Sequence, residues 1–150
     1  MINDKLRQFI DSAYDSRSIS EWDVRTLLRN VLPNGIANRE EANALIALDR
    51  LVPSACNLWG DALIALLVDY VVWGERPTGV VRGEDAHWLV SSLGAAGGPT
   101  RTALRAAHEI AHEAQEVDAT LVTFILNSQR NVSMDGTVLD LESRRRTRAA

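Results

Sequence analysis

The stretch Asn34-Gly35-Ile36-Ala37-Asn38-Arg39-Glu40-Glu41-Ala42-Asn43-Ala44-Leu45 lines up without gaps against Thr78-Gly79-Val80-Val81-Arg82-Gly83-Glu84-Asp85-Ala86-His87-Trp88-Leu89, 44 residues further on. The segments share a glycine, an apolar pair, a glutamate, a second acid, an alanine and a leucine. Read physically, each is a glycine turn, two extended apolar residues and a helix start whose acids suit the positive end of the macrodipole. Ala and Leu then face inward. Each copy follows an apolar helical stretch and a proline, Pro33 or Pro77.

Outward from this pair the chain reads as helices throughout. Ile2, Leu6, Phe9, Ile10 and Ala13 recur at the spacing of one helical face, which predicts a helix over 3–15. Ser20 and Asp23 form a capping arrangement for a helix over 21–31, ended by Pro33-Asn34-Gly35. Asn38, with Glu41 three residues on, caps a helix over 39–51. Residues 55–73 are apolar around most of the circumference and predict a buried central helix. Shorter patterns place helices at 84–93, from Thr100 to about Glu116, and from Asp118 to about Asn131.

Two units of this kind can associate about a pseudo-two-fold axis, with Ile36-Ala37 pairing against Val80-Val81 in a tiny antiparallel bridge. This resembles the way paired EF-hands are built. The expected fold is therefore an all-α single domain of about seven helices over 1–131, built on two EF-hand-like helix–loop–helix units, with 132–150 a turn and flexible basic tail. Two unrelated hairpins sharing good capping chemistry remain the alternative. A calcium loop needs oxygen ligands at its first, third and fifth positions. The first copy offers Arg29, Val31 and Pro33 there and the second Trp73, Glu75 and Pro77, so both are expected to be calcium-silent. Residues 131–142 match an EF-hand loop better, through Asn131, Ser133, Asp135, Gly136, Val138 and Glu142, and give calcium binding as one alternative. An ordinary turn is the preferred reading of that segment.

With 16 Lys+Arg against 20 Asp+Glu, the chain carries no basic field of the kind that holds phosphates, so no nucleic-acid partner is expected. Only Arg144-Arg145-Arg146-Thr147-Arg148 is locally basic. Asn57, Asp61 and Asp69 interrupt the longest apolar stretch, which argues against a membrane span. The lone Cys56 excludes an internal disulfide and, with the charged first residues, points to the cytoplasm.

His108-Glu109-Ile110-Ala111-His112 is an HExxH string on a predicted helix. That spacing puts two imidazoles on one face to hold zinc, with the glutamate as general base. The corresponding alternative is a zinc-dependent hydrolase with His108, His112 and Glu116 as ligands and Glu109 as catalytic base. Against it, Glu113 is charged where zinc peptidases carry an apolar residue, and no substrate-binding sheet precedes the motif. A solvent-facing stripe of His108, Glu109, His112, Glu113 and Glu116 explains the same residues and is preferred. Glu84 with His87 and Glu109 with His112 also form two ExxH pairs, but the further long helices bearing glutamates that a di-iron bundle requires are missing. Trp22, Trp59, Trp73 and Trp88 are expected to serve packing.

Residues 58–93, with Asp69-Tyr70-Val71-Val72-Trp73, Arg76-Pro77-Thr78-Gly79 and Ala86-His87-Trp88-Leu89, together with Arg39-Glu40-Glu41-Ala42, resemble a family of small uncharacterised alphaproteobacterial helical proteins. The resemblance implies a bacterial cytoplasmic helical protein and carries no catalytic residue across. The acid-rich helix starts after glycine turns also resemble, more remotely, TerB-like domains, which are linked to metal binding. The reading that follows is a non-catalytic helical interaction or regulatory module, with no resident cofactor, that self-associates or binds another protein.

Overall fold

Among the described residues, five of seven helices begin where a short polar side chain takes a free amide of the first turn, the arrangement that offsets the orphan donors of a helix start. In the computed structural model, which describes residues 2–74 and 76–130, Asn3 Oδ1 accepts from the Leu6 amide at 2.7 Å and opens α1 (Asp4–Ser16). Ser20 and Asp23 exchange bonds in a full capping box at the head of α2 (Glu21–Thr26), which continues as a π-helical turn over Leu27–Val31. Asn38 accepts from the Glu41 amide at 2.9 Å and opens α3 (Arg39–Leu51). Thr100 accepts from the Ala103 amide at 3.0 Å and opens α6 (Arg101–Glu113), while Asp118 accepts from the Thr120 amide at 2.8 Å before α7, residues 119–130. Between them lie α4 (Asn57–Val68), extended by a π-helical turn over Asp69–Gly74, and α5 (Glu84–Leu93).

The described residues thus form an all-α single domain, and α4 is its central helix. Trp59, Leu63 and Leu67 are buried along α4, and α6 forms its most extensive packing partner. The α3–α5 seam is polar: Asn43 Oδ1 accepts from Trp88 Nε1 at 2.9 Å and from Ser92 Oγ at 2.8 Å, and Arg39 pairs with Asp85 while lying 5.2 Å from the Trp88 ring centre. No buried side-chain nitrogen or oxygen among the described residues lacks a partner, as a well-ordered core requires.

The strand pairing departs from expectation. Ile36-Ala37 joins no bridge. Val80-Val81 (β3) pairs instead with Glu116-Val117 (β4), in parallel, and a second parallel pair joins Ser18-Ile19 (β1) to Ser54-Ala55 (β2). The reason is local at both ends. The Ala37 amide is taken at 2.8 Å by the Glu41 carboxylate, so residue 37 has no donor left for a partner strand. Helix α6 stops at Glu113, earlier than its polar pattern suggests, and frees Glu116-Val117 to extend along β3.

The two bridges expose a repeat of longer period. Ser18↔Ser54 and Val80↔Glu116 are both 36 residues apart, and the second pair lies 62 residues after the first. The same shift of 62 carries α3 onto α6, each of 13 residues, and carries cap Asn38 onto cap Thr100. It carries left-handed Arg17 (φ 54°) onto left-handed Gly79 (φ 80°). It carries the bond from the Cys56 amide to the Ile19 carbonyl onto that from the Asp118 amide to the Val81 carbonyl. Buried residues follow suit: Leu27 and Leu89, Leu48 and Ile110, Trp59 and Leu121, Leu63 and Ile125. In the segments at offset 44, Gly35 and Gly79 are both left-handed, but the helices after them start at Arg39 and Glu84, one residue out of step.

Candidate functional site

Helix α6 turns Ala103, Ala106, Ala107 and Ile110 into the core and leaves His108, Glu109, His112 and Glu113 outside. The HExxH residues then part company. His108 Nε2 lies 2.8 Å from Gln129 Nε2 on α7, whereas Glu109 lines a groove between α6 and α4. Glu116 lies in β4 and sits 3.8 Å from Arg82. Among the described residues no group of three or more His, Cys, Asp or Glu side chains converges as a metal site would. His108, His112 and Glu116 therefore do not assemble into one. Glu84 of the other ExxH pair faces Arg39 at 3.5 Å. The acids Asp135 and Glu142, the EF-hand-like segment 131–142 and the basic tail lie outside the described residues.

The α4–α6 groove has a volume of about 460 Å³. The π-helical turn at the end of α4 widens the helix there and brings Asp69 and Trp73 to the rim, opposite Glu109 and Glu113. Arg105, 3.2 Å from Asp61, is the one basic residue along it among the described residues. The four tryptophans do not form a cage: Trp59 is buried and donates to Asp49 Oδ1 at 2.9 Å, Trp88 is held in the α3–α5 seam, and Trp22 and Trp73 are exposed.

A smaller groove of about 260 Å³ runs between α1 and α3, and it is apolar. Ile2, Ile10, Tyr14, Ala47, Leu48 and Leu51 make its walls, with Arg7 and Asp11 the charged residues beside them. Tyr14 is 50% and Leu51 55% exposed. Under the 62-residue shift this groove is the counterpart of the α4–α6 groove: Ile2 corresponds to Ile64, Arg7 to Asp69, Asp11 to Trp73, Ala47 to Glu109 and Leu51 to Glu113. The fold accepts a carboxylate at the last two positions and has one in the second unit. In the first unit the same places are apolar, with Ala47 half-buried and Leu51 exposed.

The acidity of Asp118 is clearly perturbed. Hydrogen bonds from the Thr120 amide and hydroxyl, then from the Gly83 amide at 3.3 Å, hold its carboxyl below the usual aspartate value, with a smaller contribution from His87. It ties the start of α7 to the start of α5 and is a structural cap.

Of the residues at the α1–α3 groove, Ile2 and Ile10 lie on the apolar face read for the first helix, while Tyr14, Ala47 and Leu51 were not singled out by sequence. Tyr14 and Leu51 lie in the last turns of helices read from sequence, and no described helix covers them. No helix among the described residues is long and apolar enough to cross a membrane. Compared with family models, curated proteins and solved structures, the chain matches none.

Proposed function

We infer that this chain is a non-catalytic helical interaction module that takes an apolar helix face of a protein partner into the α1–α3 groove. The observation that carries the reading is Leu51. It is 55% exposed at a position where the second unit places Glu113, so its exposure is not forced by the fold. Covering the exposed parts of Leu51 and Tyr14 would contribute roughly 1 kcal/mol each to the binding of a partner. Excess acid over base supports a protein partner over a nucleic acid. The bacterial cytoplasm is the setting we propose, on the family resemblance and the lone Cys56.

Selection from a displayed library of amphipathic helical peptides tests the reading. Binders with apolar residues at i, i+3 or i+4 and i+7 are expected, and their binding should be lost in Leu51→Glu and Ala47→Glu and kept in Glu113→Leu. An unenriched library, or binding indifferent to Leu51→Glu, would overturn it.

A further inference from the structure

We propose that the partner in the α1–α3 groove is a second copy of this chain, docked across a two-fold axis with the two α1 helices antiparallel. This rests on the docking reading above and names its occupant. Charge carries the argument. Arg7 and Asp11 are both exposed, lie one turn apart on α1 and belong to the groove, and neither side chain has an ion-pair or hydrogen-bond partner among the described residues. An antiparallel pairing of α1 with its own image sets Arg7 of each copy against Asp11 of the other, twice, and brings the apolar walls together. A two-fold interface demands this kind of self-complementarity, because one patch must match itself.

The second unit supplies the contrast. Its corresponding groove carries Asp61, Asp69, Glu109 and Glu113 against Arg105, and Arg105 is already paired with Asp61, so against its own image it would oppose mainly acid to acid. Like charges set face to face oppose association. Of two grooves built on one plan, only the α1–α3 groove has both an apolar wall and a balanced rim.

Sedimentation equilibrium from micromolar to millimolar chain tests this. The wild-type protein should dimerise, and Leu51→Glu should be monomeric throughout. Arg7→Asp alone and Asp11→Arg alone should each weaken the dimer by about tenfold or more, and combining the two should restore it to within about threefold. Arg7→Lys, which keeps the charge, should leave it unchanged, and circular dichroism melts establish that each variant is folded. A wild-type protein that stays monomeric, a dimer indifferent to Leu51→Glu, or a charge swap that fails to restore association would overturn the homodimer. If peptide capture through Leu51 persists in a monomeric protein, the homodimer falls and the docking module stands. If capture fails as well, both fall.

Discussion

Leu51 and Glu113 occupy one position of one plan: each ends a 13-residue helix, 62 residues apart, and each stands on the rim of the groove beside that helix. One is a half-exposed leucine and the other a carboxylate. The pair shows that the two halves of the fold share packing while differing in the surfaces they present.

Leu51→Glu is expected to leave the folding free energy within about 0.5 kcal/mol of wild type, as befits a surface position. Leu48, three residues earlier and 1% exposed, gives the opposite result. Leu48→Glu buries an unpaired charge and should cost more than about 4 kcal/mol or prevent folding. Urea melts of the two variants side by side check both.

Arg17 and Gly79 share the left-handed backbone of the two bridge entrances. A side chain there costs roughly 1–2 kcal/mol unless glycine is used. Arg17→Gly should therefore stabilise by up to about 1 kcal/mol once the freer unfolded chain is allowed for. Gly79→Ala should destabilise by about 1–2 kcal/mol, because it adds the backbone strain and sets a Cβ 3.3 Å from the Gln115 side chain. Thermal melts giving the same sign for both would contradict the shared geometry.

Glu41 is the one buried charged residue among those described, 2% exposed. It accepts from the Ala37 amide at 2.8 Å and from Asn3 Nδ2 at 3.3 Å. Glu41→Ala strands those donors and should cost about 1–3 kcal/mol, with faster amide exchange at the start of α1. Glu41→Gln keeps an acceptor oxygen and should cost less.

Asp118 titrates below an ordinary aspartate, since its donors favour the charged form. A carboxyl depressed in the folded state contributes stability that is present above the unfolded value, about 3.9, and is lost as pH falls through the folded value. Asp118→Asn should therefore lower the thermal midpoint near neutral pH and flatten its decline in acid below about pH 4. A wild-type and a variant curve that stay parallel through that range would contradict the cap.

Much of the local structure was legible in sequence because short-range chemistry decides it. Asn38 capping Glu41 fixed α3 at Arg39–Leu51, and Glu84–Leu93 likewise emerged where the pattern put it. The HExxH string was legible as exposed, since its histidines and acids fall opposite Ala103, Ala106, Ala107 and Ile110 on one helix. What periodicity could not supply was the partner of each extended pair. Val80-Val81 was seen as extended, but its partner Glu116-Val117 follows a helix 36 residues downstream and carries no β signal of its own.

By itself, then, the sequence determined the helical class, the caps, the central apolar helix and the charge balance, all of which depend on residues within a few turns of one another. Only the tertiary structure decided the strand partners, the 62-residue plan and the exposure of Tyr14 and Leu51. The repeat keeps burial while changing identity, Leu48 answering to Ile110 and Trp59 to Leu121, so alignment by letter passes it over. Exposure of an apolar residue depends on whether a neighbouring helix arrives to cover it, and that is settled by packing across the whole chain.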